Sequence, residues 1–303
     1  MINEKFKRLN ENHINQSWQP TPADYAEIAP EEESLNFRIN YAHLLDNKVC
    51  LVTGASYGMG YKIAEVYAQH GAILIITARN AEKLEAAADE IRKNVPDANV
   101  TTYPADVMDE QVTKQLFAWI MEKFGRIDTI VNNVGAGDPY LPDTFDESAL
   151  NHFIDLNLKA PMRYCEEALK IMLEQNYGNI VNVSSINGTR PLCGAVYSAA
   201  KGGLNTWTKS MAIRCVGTGV HCNVLGPGFT VTPLSLKQES GKTDLQTSEA
   251  THAPDFLPIL HTKSTRNVPT FQVDQAHLAL FLGSDLSRCI TGQIINCDNG
   301  QYL

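Results

Sequence analysis

Strands that alternate with helices, glycines set directly behind the first strand, and strands too apolar to have a wet face together predict an α/β fold. In such a fold a doubly wound parallel sheet carries helices on both faces. The 303-residue chain is 44% hydrophobic, which suffices for the core of one large domain or two small ones.

The alternation begins at Lys48. Val49–Thr53 is a short apolar run that stops at glycines, so it is a buried strand. Helical spacing follows from Tyr61 to His70, and Ala72–Thr77 is a second buried strand. Glu82–Lys93 is a helix closed by Pro96, Val100–Tyr103 a third strand, and Asp109–Phe124 a helix ended by Gly125. Ile127–Asn132 is a fourth strand, followed by one long helix from about Glu147 to Gln175. Then come the strand Gly178–Val183, a helix through Tyr197, the strand Val220–Leu225, the helix Val273–Leu282 and a last strand, Gln293–Cys297. Right-handed crossovers make such a sheet parallel. Its ligands bind outside the carboxyl ends of the strands.

Two segments break the rhythm. Residues 1–45 are rich in Asn, Glu and Pro, yet Trp18, Tyr25, Phe37 and other large apolar residues are spread through them. A solvated tail carries fewer, so short helices or an ordered arm are expected, with Thr21 and Pro22 at one helix start. The domain proper is then 46–303. Residues 233–270 are long and polar around an apolar island, Phe256–Leu260, and read as a substrate lid.

Composition excludes several classes of function. A formal charge of −9 argues against nucleic acid, which needs a basic face. No apolar run reaches membrane-spanning length, and the polar stretch Met1–Asn10 is not a signal peptide. Seven cysteines without a Cys-x-x-Cys pair fit reduced thiols in a cytoplasm. No cysteine or histidine cluster has metal-ligand spacing.

Gly54, Gly58 and Gly60, with Ser56, Tyr57 and Met59 between them, follow the first strand and open a helix. Glycines there let backbone approach a pyrophosphate and aim helix amides at it; the plainer reading is a tight turn without a ligand. Tyr197 and Lys201, four apart on one helix, share a face, and Ser184-Ser185 ends the strand before them. A phenol, an ammonium and a hydroxyl so placed suit proton transfer to a carbonyl oxygen.

Further stretches appear in order: Ala105-Asp106-Val107, Asn132-Asn133-Val134-Gly135, Asn157, Pro227-Gly228 with Thr232, and the closing run from Ile290 to Gly300. With them the chain, from about Asp46 to Leu303, resembles the single-domain short-chain dehydrogenase/reductases, bacterial hydroxysteroid dehydrogenases among them. Val134 departs from the family's usual alanine. The resemblance implies a Rossmann-like fold, an NAD(P)(H) cofactor and interconversion of a secondary alcohol and a ketone. It implies that Asp106 and the Val107 amide hold adenine, and that Asn133 and Gly135 line the cofactor near its ribose. Backbone near Pro227, Gly228 and Thr230, with the Thr232 hydroxyl, would fix the carboxamide. Tyr197 would be the general acid, its phenolate favoured by Lys201, which would also bond the ribose. Ser185 would polarise the carbonyl, and Asn157 would hold a water that leads from Lys201 to solvent. The Ser-x-x-Gly pattern selects Ser185, whereas counting back from Tyr197 in relatives with one more loop residue selects Ser184. Ser184 lies on the strand and should face the opposite side.

The second strand ends in Arg79 rather than the acid that reads an NAD ribose, which leans the cofactor to NADP(H). Tyr57 stands where many NADP-dependent relatives carry a second basic residue, and arginine can also stack on adenine. Phe229, Leu234, Leu236 and the Phe256–Leu260 island suit a small apolar ketone or alcohol substrate, such as a steroid. Lys237, Lys242, Lys263 and Arg266 are balanced by Glu239, Asp244, Glu249 and Asp255, which leaves no basic entrance for an acyl carrier. Sugars or polyols and 3-oxoacyl groups are the alternatives. A non-catalytic nucleotide-binding scaffold would have lost a catalytic position, and none is lost here. Enoyl reductases of the family space tyrosine and lysine further apart. The family pattern further implies a homotetramer built on the two long helices and the last strand.

Overall fold

The computed structural model describes residues 40–191, 194–232 and 269–301. Most of the expected arm (1–39) and nearly all of the expected lid (233–268, with Leu234, Leu236 and Phe256–Leu260) lie outside the described residues.

The chain builds β1 (Val49–Thr53), α1 (Gly58–Gln69), β2 (Ile73–Ala78), α2 (Ala81–Asn94), β3 (Asn99–Pro104), α3 (Glu110–Phe124) and β4 (Thr129–Asn132). Next come α4 (Glu147–Ile154), a π turn (Asp155–Lys159), α5 (Ala160–Gln175), β5 (Gly178–Val183), a 3-10 turn (Ile186–Gly188) and α6 (Ala195–Arg214). The described residues close with β6 (Val220–Pro227), β7 (Thr230–Val231), β8 (Thr270–Phe271), α7 (Gln272–Gly283), a 3-10 turn (Asp285–Ser287) and β9 (Ile294–Cys297).

The main sheet has seven strands in the order β3-β2-β1-β4-β5-β6-β9, and every pair is parallel. Both faces are covered, as the buried central strands require. One core packs Ile63, Tyr67, Leu84, Ile91, Ala276 and Ala279 against Cys50, Val52, Leu74 and Ile76. The other packs Leu116, Phe117, Ile120, Tyr164 and Met172 against Leu51, Ile75, Ile130 and Ile180. Each such large side chain, fully buried, contributes about 1.5–3 kcal/mol. Strand order reverses between β1, which leads out to β2, and β4, so the crevice for a ligand opens at their carboxyl ends.

One expectation changes in detail. The helix read as continuous from about Glu147 to Gln175 is interrupted by the π turn, and Pro161 is the second residue of the helix that follows. Proline has no amide to donate and favours a helix start, so the chain re-enters regular helix there. Among the described residues, no helix is long and apolar enough to cross a membrane. None of their His, Cys, Asp and Glu side chains form a group of three or more that could hold a metal ion.

Candidate active site

The glycine stretch caps the sheet where the strand order reverses. Gly54 and Gly58 have φ of +66° and +68°, which a side chain would strain. A Cβ on Gly60 would fall 2.3 Å from the Gly54 carbonyl oxygen, so α1 can approach β1 only with glycine there. A Cβ on Gly58 would meet nothing within 4 Å, so this backbone looks out into open space. The first turn of α1 has no side-chain cap and no acidic residue. Its amides therefore face outward, as a pyrophosphate needs. Ser56 and Met59 are half-buried and Tyr57 is exposed.

The neighbouring strand ends complete this rim. The Ala55 amide donates to Thr77 and the Ala105 amide to Ala78, which joins the glycine stretch to the ends of β2 and β3. Arg79 is exposed beside them, while Asn80 caps α2 by accepting from the Lys83 amide at 2.8 Å. The Asp106 carboxylate accepts from the Met108 amide at 3.0 Å, and Val107 is buried in the core below. Asn133 Nδ2 donates to the Thr53 carbonyl at 3.0 Å. Asn133 Oδ1 and Thr77 Oγ1 are buried without a partner. Such orphaned polar atoms at the ligand crevice fit a polar nucleotide that would complete them. The residues present thus fit a dinucleotide, with Gly54, Gly58 and Gly60 at the pyrophosphate and Arg79 and Asp106 at the adenosine end.

At the other end, the π turn sets Asn157 completely inside the protein. Its amide pairs with the backbone of Ala136, accepting from the amide at 3.1 Å and donating to the carbonyl at 2.9 Å, with a second donation to Phe153 at 3.0 Å. A Cβ on Gly135 would lie 2.8 Å from Asn157 Oδ1 and 3.0 Å from Lys201 Nζ. Glycine at 135 is what lets these two side chains meet the loop after β4. Lys201 Nζ stands 5.6 Å from the centre of the Tyr197 ring. Burial alone lowers the Lys201 pKa to about 7.

The two serines separate cleanly. Ser184 Oγ donates to the Lys201 backbone carbonyl at 3.2 Å, so it braces α6. Ser185 caps the 3-10 turn, and its oxygen accepts from the Asn187 amide at 3.1 Å and side chain at 3.3 Å. Both contacts use Ser185 as an acceptor and leave its hydrogen to donate to a substrate oxygen. On the far side, the Gly228 amide donates to Cys297 at 3.0 Å and the Phe229 amide to Gln301 Oε1 at 2.8 Å, just after Pro227. The Thr230 hydroxyl is engaged with Gly228, Thr270 and Gln275, so only its backbone remains for a ligand. Thr232 is half-buried beyond β7.

A family profile described as short chain dehydrogenase matches residues 48–243. The chain belongs to the short-chain dehydrogenase/reductase family. As such it is an NAD(P)-dependent oxidoreductase acting on CH–OH groups. It is 32% identical over 260 residues to a 3-oxoacyl-[acyl-carrier-protein] reductase of Thermotoga maritima, covering 86% of this chain and 99% of that one. It is 31% identical over 264 residues to a 3beta-hydroxysteroid dehydrogenase of Mediterraneibacter gnavus, covering 84% and 95%. The crystal structure of levodione reductase matches with a TM-score of 0.75 at 28% identity, covering 85% of this chain and 98% of that one.

Sequence reasoning did not single out Asp138, Gln275 or Gln301. Gln275 donates to Thr230, Thr270 and the Cys297 carbonyl, and so ties both borders of the segment 233–268 to the last strand. The sequence places Gln275 only within a helix and gives Asp138 no pattern of its own.

Proposed function

We propose that this short-chain dehydrogenase/reductase interconverts a bulky apolar ketone and its secondary alcohol, with Tyr197 as the acid in reduction and the base in oxidation. The nicotinamide, when bound, supplies or accepts the hydride. Ser185 donates a hydrogen bond to the carbonyl oxygen and holds it beside the Tyr197 phenol. Lys201, charged, favours the phenolate electrostatically, and Asn157 keeps the loop at Ala136 and a water path in register. Arg79 reads the adenosine 2′-phosphate, with Gly54, Ser56, Gly58, Gly60, Asp106, Asn133, Gly228 and Thr232 around the rest of the cofactor.

The observation that supports the substrate reading is the aromatic pair Tyr140 and Phe153, whose Tyr140 backbone meets the start of the helix that bears Tyr197. Tyr140 accepts through its carbonyl from the Ala195 amide at 3.1 Å, at the start of the helix bearing Tyr197. Its ring packs edge-on to Phe153 at 6.3 Å. The likeness to relatives named for a hydroxysteroid and for levodione supports the same class. A 3-oxoacyl thioester is the second reading, supported by the Thermotoga maritima relative. The balanced charges of residues 233–270 favour the first.

Turnover with steroid ketones, ketoses and acetoacetyl thioester, each under NADH and NADPH, tests it. The reading expects the highest kcat/KM for a ring ketone with NADPH; a clear preference for the thioester or the sugar overturns it. The long helices α5 and α6 present a groove of about 580 Å³ in which Met162, Leu169, Leu173, Trp207 and Met211 are bordered by Lys159, Arg163, Glu166, Lys170 and Arg214. This supports the homotetramer, which light scattering at micromolar concentration tests; a stable monomer refutes it.

A further inference from the structure

We propose that Asp138 is a positioning residue for Tyr197: its buried carboxylate straps the first turn of α6 to the loop that follows β4. The inference rests on the assignment of Tyr197 above.

The loop around it is open. Gly135, Ala136 and Gly137 are exposed, yet Asp138 is only 7% exposed. A carboxylate is buried so deeply only when its oxygens are bonded. Here one oxygen accepts from the Tyr140 amide at 2.9 Å and the other from the Tyr197 amide at 2.5 Å.

The second bond has a clear physical origin. The first amides of a helix lack intrahelical partners, and a Ser, Thr, Asp or Asn at the cap normally supplies one. The cap of α6 is Gly194, which has no side chain to offer. The partners come instead from a segment more than fifty residues away: the Tyr140 carbonyl takes the Ala195 amide and Asp138 takes the Tyr197 amide. The negative charge also complements the positive end of the helix. Gly194 is needed for this approach, because its φ is +62° and a Cβ there would fall 2.8 Å from the Asp138 carbonyl oxygen.

A cap on residue 194 would secure the helix alone. A cap from the loop also fixes the helix relative to that loop. The loop's other end is held by Asn157 through both backbone atoms of Ala136. Residues 136–140 therefore form a short strap with Asn157 at one end and the backbone of Tyr197 at the other. The strap sets where the phenol stands relative to Lys201 and the carbonyl it protonates.

The two amides bond different oxygens of Asp138, so asparagine leaves one of them without its acceptor and alanine leaves both. Asp138→Asn, Asp138→Ala and Tyr197→Phe are compared with Asp109→Ala. Asp109 also caps a helix through two amides, those of Gln111 and Val112, but with a single oxygen and on α3 rather than on the helix of Tyr197. With the best ketone of the panel, Asp138→Ala should lower kcat roughly 10²-fold, the cost of about 1 Å of misplacement. Cofactor Kd should stay unchanged, and Asp138→Asn should recover part of the loss. Asp109→Ala should lower Tm and leave kcat alone. Wild-type kcat in folded Asp138→Asn and Asp138→Ala, with Tyr197→Phe inactive, overturns the strap alone. Full turnover in Tyr197→Phe overturns the assignment beneath it. If the alanine variant does not fold, the asparagine variant decides: a kcat equal to wild type contradicts the strap.

Discussion

Lys201 Nζ donates to the Val183 carbonyl at 2.8 Å, tying the helix of Tyr197 to the end of β5 from a fully buried position. A buried ammonium with one backbone acceptor is costly to keep charged. Burial accordingly brings its pKa down to about 7.

This gives a signed stability prediction for the cofactor-free protein. In the unfolded chain lysine titrates near 10.4, above its folded value. Between about pH 7 and 10 the unfolded state therefore binds more protons, and stability rises with pH by up to about 1.4 kcal/mol per unit. Below about pH 7 both states are protonated and the term is flat. Cys50 and Cys165 are pushed up by burial and act oppositely once unfolded thiols titrate near pH 8.5. Denaturant unfolding from about pH 7 to 8.5 should thus show wild type gaining stability relative to Lys201→Met. Parallel curves would mean that Lys201 keeps its charge when folded.

The two serines give a separable pair. Ser185→Ala should lower kcat roughly 10²–10³-fold, as loss of a donor to a developing oxyanion does. Ser184→Ala should retain kcat and lose about 0.5–1.5 kcal/mol of stability with its bond to the Lys201 carbonyl. The opposite pattern would make Ser184 the active hydroxyl.

The sheet was legible in the sequence because its central strands are buried on both faces, so β1, β2 and β4 stand out as short apolar runs. Val49–Thr53 and Gly178–Val183 were read with the bounds the structure gives. The π turn was not legible, since Asp155–Lys159 keeps helical composition and departs only in its hydrogen bonding. Tyr197 and Lys201 were legible because their spacing is a helical repeat. Asp138 was not, because its meaning lies in amides more than fifty residues downstream and in a missing cap at Gly194. Periodicity reports what a residue does for its own element; Asp138 and Gln275 act between elements.

Arg79 should discriminate the two nicotinamide cofactors. It is exposed at the end of β2, and the only side chain next to it in sequence that could bond a ribose, Asn80, is occupied as the α2 cap. Arg79→Ala should raise KM for NADPH far more than for NADH, since the guanidinium pairs bidentately with a phosphate. Equal effects in steady-state kinetics would point to stacking on adenine instead.

The most direct test is Tyr197→Phe, assayed with NADPH and the best ketone of the panel. The ring remains, so the cofactor Kd should be unchanged, while the proton donor is gone. The account predicts a fall in kcat of roughly 10²–10⁴-fold, the range for a lost general acid. A phenylalanine variant that turns over at close to the wild-type rate would contradict it.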